Sequence, residues 1–210
     1  MADTSLLKNF NATCGGGLVL NKDVYDMQPG EALQLINFEP STEGGYRRLN
    51  GTTKYNSTIV PQVSLANERI QMSAIFNDKI IVARGGTVSY GDTSGSWTSL
   101  ATSQGGTYTY DFDKFNFSGT SKIIIATGEA AAFTVNTSFA VDVINATGGG
   151  TAPTNPKFVK TFANHVFYGG MSNSTHSILF SVPFSEDNFT SGSGAGEIKV
   201  GDVVTGLKVF

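Results

Sequence analysis

Beyond Pro61 the chain alternates short apolar runs with polar turns, and three of the runs align. They are Asn77-Asp78-Lys79-Ile80-Ile81-Val82-Ala83-Arg84-Gly85, Thr120-Ser121-Lys122-Ile123-Ile124-Ile125-Ala126-Thr127-Gly128 and Ala163-Asn164-His165-Val166-Phe167-Tyr168-Gly169-Gly170. Each reads as a polar turn, a β-branched or aromatic strand, and a glycine that ends it. The polar-to-apolar junctions Lys79, Lys122 and His165 are spaced by 43 residues. A constant period of this size is the mark of a repeat architecture.

The flanks repeat as well. Ser73-Ala74-Ile75-Phe76 precedes the first copy and Phe158-Val159-Lys160-Thr161-Phe162 the third, while Gly206-Leu207-Lys208-Val209-Phe210 matches the latter. Phe210 then corresponds to Phe162, and a fourth unit is expected to begin there. After each core strand comes a second alternating run and an aromatic: Thr87 to Tyr90 with Trp97, Ala132 to Val135 with Phe139, Ser177 to Phe180 with Phe189. Fourth strands are expected over Phe139 to Ile144 and Glu197 to Val200. About four strands per repeat is the layout of a propeller blade.

The predicted fold is therefore all-β: a partial β-propeller of about three four-stranded blades preceded by an irregular N-terminal arm. The expected boundaries are 1–61 for the arm and its lead-in strands, 62–104, 105–151 and 152–205 for the blades, and 206–210 for the start of a further blade. The arm carries dense turn signals at Cys14-Gly15-Gly16-Gly17, Gln28-Pro29-Gly30, Glu43-Gly44-Gly45 and Asn50-Gly51. Gly30 to Asn37 is the one candidate helix, and it fits a strand about as well. Thr147 to Pro156 reads as an inter-blade linker.

Composition agrees with many short strands: 40% of residues are apolar and only 15% charged, with abundant Gly, Ser, Thr and Asn. The formal net charge of -3 gives no basic field for a phosphate backbone. Arg47, Arg48 and Lys54 beside Tyr46 read as a solvated turn rather than a binding patch. Cys14 is the one cysteine, so no intrachain disulfide is possible. Met1 to Ser5 lacks the features of a signal peptide, and no apolar run approaches the ~18 residues of a membrane span. Synthesis in a cytosol without membrane insertion is expected. Eight Asn-x-Ser/Thr triplets, from Asn11 to Asn188, follow from a composition rich in those residues.

Candidate chemistry is sparse. The chain has no Gly-x-Ser-x-Gly elbow. His165 stands where the other repeats place lysine and reads as a turn-ending residue; His176 reads as a loop residue. One cysteine and two distant histidines do not make a zinc set. Calcium could use Asp111 and Asp113 on one strand face, or Glu186-Asp187-Asn188, yet neither matches a calcium-loop spacing. Ser89 to Trp97 approaches an aspartate-box turn but misses its register, and Gly192 to Gly196 reads as a flexible turn. No catalytic, cofactor or metal residue is nominated, and no small-molecule substrate is expected. The six positions singled out are structural: Lys79, Lys122, His165, Trp97, Phe139 and Phe189, with the aromatics expected to pack between blades.

Two stretches carry a resemblance. Gly17-Leu18-Val19-Leu20-Asn21, Met27-Gln28-Pro29-Gly30-Glu31-Ala32 through Leu35-Ile36-Asn37-Phe38, and Gly45-Tyr46-Arg47-Arg48-Leu49-Asn50-Gly51 form the first. Asn164 to Gly170, Ile178 to Ser181, Glu186 to Phe189 and Ile198 to Asp202 before Thr205 to Phe210 form the second. Together they cover roughly half the chain and resemble bacteriophage tail proteins of the nozzle, hub or DNA-stabilising type, in which an extended start leads into a β-propeller. The resemblance implies a virion structural protein, assembled in the host cytoplasm and located in the tail. Its partners would be other copies of itself, a portal or adaptor, and fibres, with double-stranded DNA only in passage. Family members are several times longer, and three blades cannot close a ring, so further blades would come from elsewhere. A glycan- or receptor-binding propeller is the alternative. A propeller glycosidase is weaker, because no paired carboxylates recur at matching blade positions.

Overall fold

The computed structural model describes residues 16–40, 45–63, 69–117 and 119–210. The chain divides into two compact units, Met1–Lys54 and Tyr55–Phe210. In the first, β1 (Gly17–Leu18) pairs in parallel with β2 (Glu31–Ala32), and β3 (Phe38–Pro40) pairs antiparallel with β4 (Tyr46–Arg48). A single 3-10 turn, Val24–Asp26, is capped by Asp23, whose side chain accepts the Tyr25 N–H at 3.2 Å. Gly30 to Asn37 forms no helix: only Glu31 and Ala32 are regular, and Asn37 turns the chain with φ of 61°.

The first unit ends at Lys54 rather than near residue 61, for a hydrogen-bonding reason. Tyr55 onward lies on the first sheet of the second unit: the Asn56 amide donates to the Asp92 carbonyl at 2.9 Å and the Arg84 guanidinium to the Val60 carbonyl at 2.8 Å.

The second unit is all-β and consists of three four-stranded antiparallel sheets, each a meander in chain order. Sheet one comprises β5 (Ile70–Phe76), β6 (Lys79–Arg84), β7 (Thr87–Gly91) and β8 (Trp97–Ala101). Sheet two comprises β9 (Asp111–Phe115), β10 (Lys122–Ala126), β11 (Phe133–Asn136) and β12 (Val141–Val143). Sheet three comprises β13 (Phe158–Phe162), β14 (His165–Met171), β15 (Ser174–Phe180) and β16 (Gly196–Lys199). Among the described residues the sheets form an open series and close no ring. Residues 206–210 lie in no strand.

Local chemistry explains the meanders. Asn77 and Asp78 (φ of 46° and 61°) and Ala163 and Asn164 (47° and 66°) make two-residue hairpin turns with both φ values positive. That geometry matches the twist of the flanking strands and sets the registers Phe76 to Lys79 and Phe162 to His165. The connection from the third to the fourth strand is organised in every sheet by an Asx side chain. Asp92 accepts the Ser94 N–H at 2.8 Å, Asn136 the Ser138 N–H at 2.9 Å, and Asn188 the Thr190 N–H at 3.0 Å.

The core lies between the sheets. Strand β10 is buried on both faces: Ile123 and Ile125 pack with Met72, Phe76, Ile81 and Val88 of sheet one, while Ile124 and Ala126 pack with Val159, Val166 and Tyr168 of sheet three. A strand enclosed this way has no polar face, which is why Ile123-Ile124-Ile125-Ala126 shows no alternation. Each fully buried isoleucine contributes about 1.5–3 kcal/mol.

Candidate functional site: a carboxylate seam between two sheets

The first strands of sheets two and three, β9 and β13, run side by side, and four acidic residues join the sheets. Asp111 accepts the Val159 N–H at 3.0 Å through one oxygen and the Lys160 ammonium at 2.6 Å through the other. Asp113 accepts both the N–H and the hydroxyl of Thr161, each at 2.7 Å. These two acids are two residues apart on an extended strand, so both point to the same side. The N–H groups they accept are those that β13, as an edge strand, leaves unpaired by its own sheet. The carboxylates thus satisfy the edge in place of another strand.

Glu186 and Asp187, in the loop between β15 and β16, act in the opposite direction. Glu186 pairs with Lys122. Asp187 accepts the N–H groups of Asn145, Ala146 and Thr147 and the Thr147 hydroxyl. The loop is anchored from below by the Tyr168 hydroxyl, which donates to the Glu186 carbonyl at 2.8 Å; burial pushes this phenol well above its usual range. The Thr147 to Pro156 stretch is therefore stitched down at its start: Gly148 donates to the Asp187 carbonyl, and Phe189 to the Gly149 carbonyl at 2.8 Å. A Cβ on Gly148 would fall 2.6 Å from the Asn188 Cβ, so the close approach needs glycine there. Both acidic groups weighed for calcium are engaged in this seam. Among the described residues no group of three or more His, Cys, Asp or Glu is placed to hold a metal ion.

An acidic side chain, Glu129, also fastens the connection between sheets one and two. Glu129 accepts the Thr107 N–H at 3.0 Å, and that hydrogen bonding holds its carboxyl below the ordinary range. The same loop is fastened by Tyr110, whose hydroxyl donates to the Gly105 carbonyl and whose pKa is raised by burial. At the other end the Asn77 amide donates to the Thr137 carbonyl at 2.8 Å. The signal for these acids was their scarcity in a chain this poor in charge, but it says nothing about which neighbour each meets.

Lys79, Lys122 and His165 each open the second strand of a sheet, at one structural position with three different partners. Lys79 pairs with Asp92 at 2.7 Å inside sheet one, which raises the lysine and holds Asp92 well below the usual carboxylate range. Lys122 reaches across to Glu186. The His165 ring donates from Nδ1 to the Ser181 carbonyl at 2.5 Å. The His176 ring lies 3.1 Å from the hydroxyl of its neighbour Thr175.

The aromatics separate. Phe139 stacks on Tyr90 at 4.0 Å between sheets one and two, and Phe189 lies edge-on to Tyr168 at 5.7 Å between sheets two and three. Trp97 departs from the expected inter-blade position. It pairs with Gly91 on the outer face of sheet one, and its indole N–H donates to the Thr58 carbonyl at 2.9 Å. The lead-in segment at Thr58 meets this ring instead of a neighbouring sheet.

The far face of sheet three is apolar. Phe162, Phe167, Ile178 and Ile198 form a groove of about 290 Å³ with Leu207 and Phe210, rimmed by Lys160 and Lys208. Leu207 lies over Gly169, where an added Cβ would be 3.4 Å from the leucine Cδ1. In the N-terminal unit Arg47 pairs with Glu39 at 2.6 Å, while Arg48 and Asn50 line a shallow polar groove. No family model matches the chain, and no curated protein sequence matches it.

Proposed function

We propose that the chain is a structural component of a bacteriophage tail, of the nozzle or hub type, that works by assembly with further copies and with neighbouring tail proteins around the path of the genome. The observation that carries this reading is the way the polar side chains are spent. Asp111, Asp113, Glu186 and Asp187 all join one sheet to the next, and the two imidazoles meet a backbone carbonyl and a threonine hydroxyl. This is the economy of a framework rather than of a site that binds and turns over a substrate. The apolar groove on sheet three supports the reading, since protein association is one use of an exposed apolar face.

The net charge of -3 suits a conduit, because cationic contacts would hold the passing phosphate backbone. Light scattering with negative-stain imaging of the purified chain tests the reading: a multi-copy ring with a central channel is expected. A monomer that binds a glycan saturably would overturn it in favour of a recognition module.

A further inference from the structure

The loop after β12 presents three consecutive backbone N–H groups to one carboxylate. One Asp187 oxygen accepts from Asn145 at 2.8 Å and from Ala146 at 2.6 Å; the other accepts from Thr147 at 2.9 Å and from the Thr147 hydroxyl. Ala146 has a left-handed φ of 63°, and a left-handed residue within such a run is what turns successive amides inward to a common point. Four donors on one carboxylate are charge-assisted bonds, stronger than neutral ones. Nothing in the donor set requires that the acceptor be an aspartate: any small planar oxyanion presents the same two oxygens. Asn145, Thr147 and Gly148 are exposed, so solvent reaches the loop.

We propose that Asn145 to Thr147 is an oxyanion-binding site, filled in this fold by Asp187 from the next sheet, and that it accepts a free carboxylate when that side chain is removed. The sheet-to-sheet join is then an exchangeable ligand contact. Asp187 holds the site through the high effective concentration of a tethered group, and a free anion takes it only at high concentration. The inference stands on loop geometry and is independent of the tail reading.

The test is Asp187→Ala, titrated with sodium acetate and, in parallel, with sodium chloride at matched ionic strength. Melting temperature and the amide resonances of residues 145–147 are followed. Acetate is expected to raise the lowered melting temperature and shift those amides saturably in the variant, with neither effect from chloride nor in the parent protein. Acetate acting like chloride, or shifting the parent's amides equally, overturns the proposal. Glu186→Gln, which leaves the loop untouched, is expected to show no acetate response, and a response there is equally fatal. Should Asp187→Ala not fold, Asp187→Asn keeps the shape and loses the charge. Amide exchange at 145–147 is then expected to quicken by about tenfold or more, and unchanged exchange refutes the proposal.

Discussion

Asp113 offers the sharpest test of the seam. Its carboxylate holds two donors of Thr161, the outward N–H of an edge strand and the hydroxyl, both at 2.7 Å. Asp113→Ala removes the carboxylate oxygen that accepts both and leaves the N–H with only whatever water reaches it. A hydrogen bond to a charged group contributes about 1.5–3 kcal/mol, and losing a partner of a desolvated donor costs about 1–3 kcal/mol. Because Asp113 and Thr161 are only half-buried, the lower part of that range applies, and we expect about 2 kcal/mol, or a melting temperature roughly 4–8 °C lower for a chain of this size. Asp113→Asn, which keeps one acceptor oxygen, should lose about half as much. Denaturant unfolding followed by circular dichroism gives the stabilities, and hydrogen exchange at the Thr161 amide localises the effect. In a double-mutant cycle with Thr161→Val, a coupling energy of about 1 kcal/mol is expected. A stability within about 0.5 kcal/mol of the parent, the level of an ordinary surface substitution, with unchanged Thr161 exchange, would refute the idea that carboxylates do the work of a missing strand.

Three further outcomes follow from the same structure. Ile124→Ala empties a site enclosed between sheets two and three and should cost about 2–5 kcal/mol by denaturant unfolding; a loss under about 1 kcal/mol would mean that β10 is not sandwiched as described. Asn164→Val puts a β-branched residue at φ of 66° in the β13–β14 turn and should cost about 1–2 kcal/mol, whereas Asn164→Gly should be close to neutral. Asp92 is held below its ordinary value of 3.8 chiefly by Lys79, so its contribution is present above that value and is lost as pH falls towards the depressed pKa of the folded state. Acid titration from pH 5 downward should therefore cost the parent more stability than Asp92→Asn, and parallel curves would contradict the pairing.

The repeat, the all-β class and the first residue of each second strand were legible in the sequence for a local reason. A polar turn, a β-branched or aromatic run and a closing glycine are properties of neighbours along the chain, and Lys79, Lys122 and His165 fall at equivalent places because each follows such a turn. Partner choice was not legible. Asp111 and Asp113 look like a possible cation site when read along β9, and only the approach of β13 shows that they hold Val159, Lys160 and Thr161. Trp97, Phe139 and Phe189 look alike in sequence, yet what packs on an aromatic depends on which sheet lies next to it, and for Trp97 that neighbour is the lead-in segment at Thr58. Burial of β10 on both faces could be suspected from four apolar residues in a row, but whether its faces meet two sheets or a helix is decided by long-range packing. Strand identity is thus a short-range matter of turn chemistry and side-chain shape, while the role of the four seam carboxylates is set by contacts between residues 40 or more positions apart in the chain, as between Asp187 and Asn145 to Thr147.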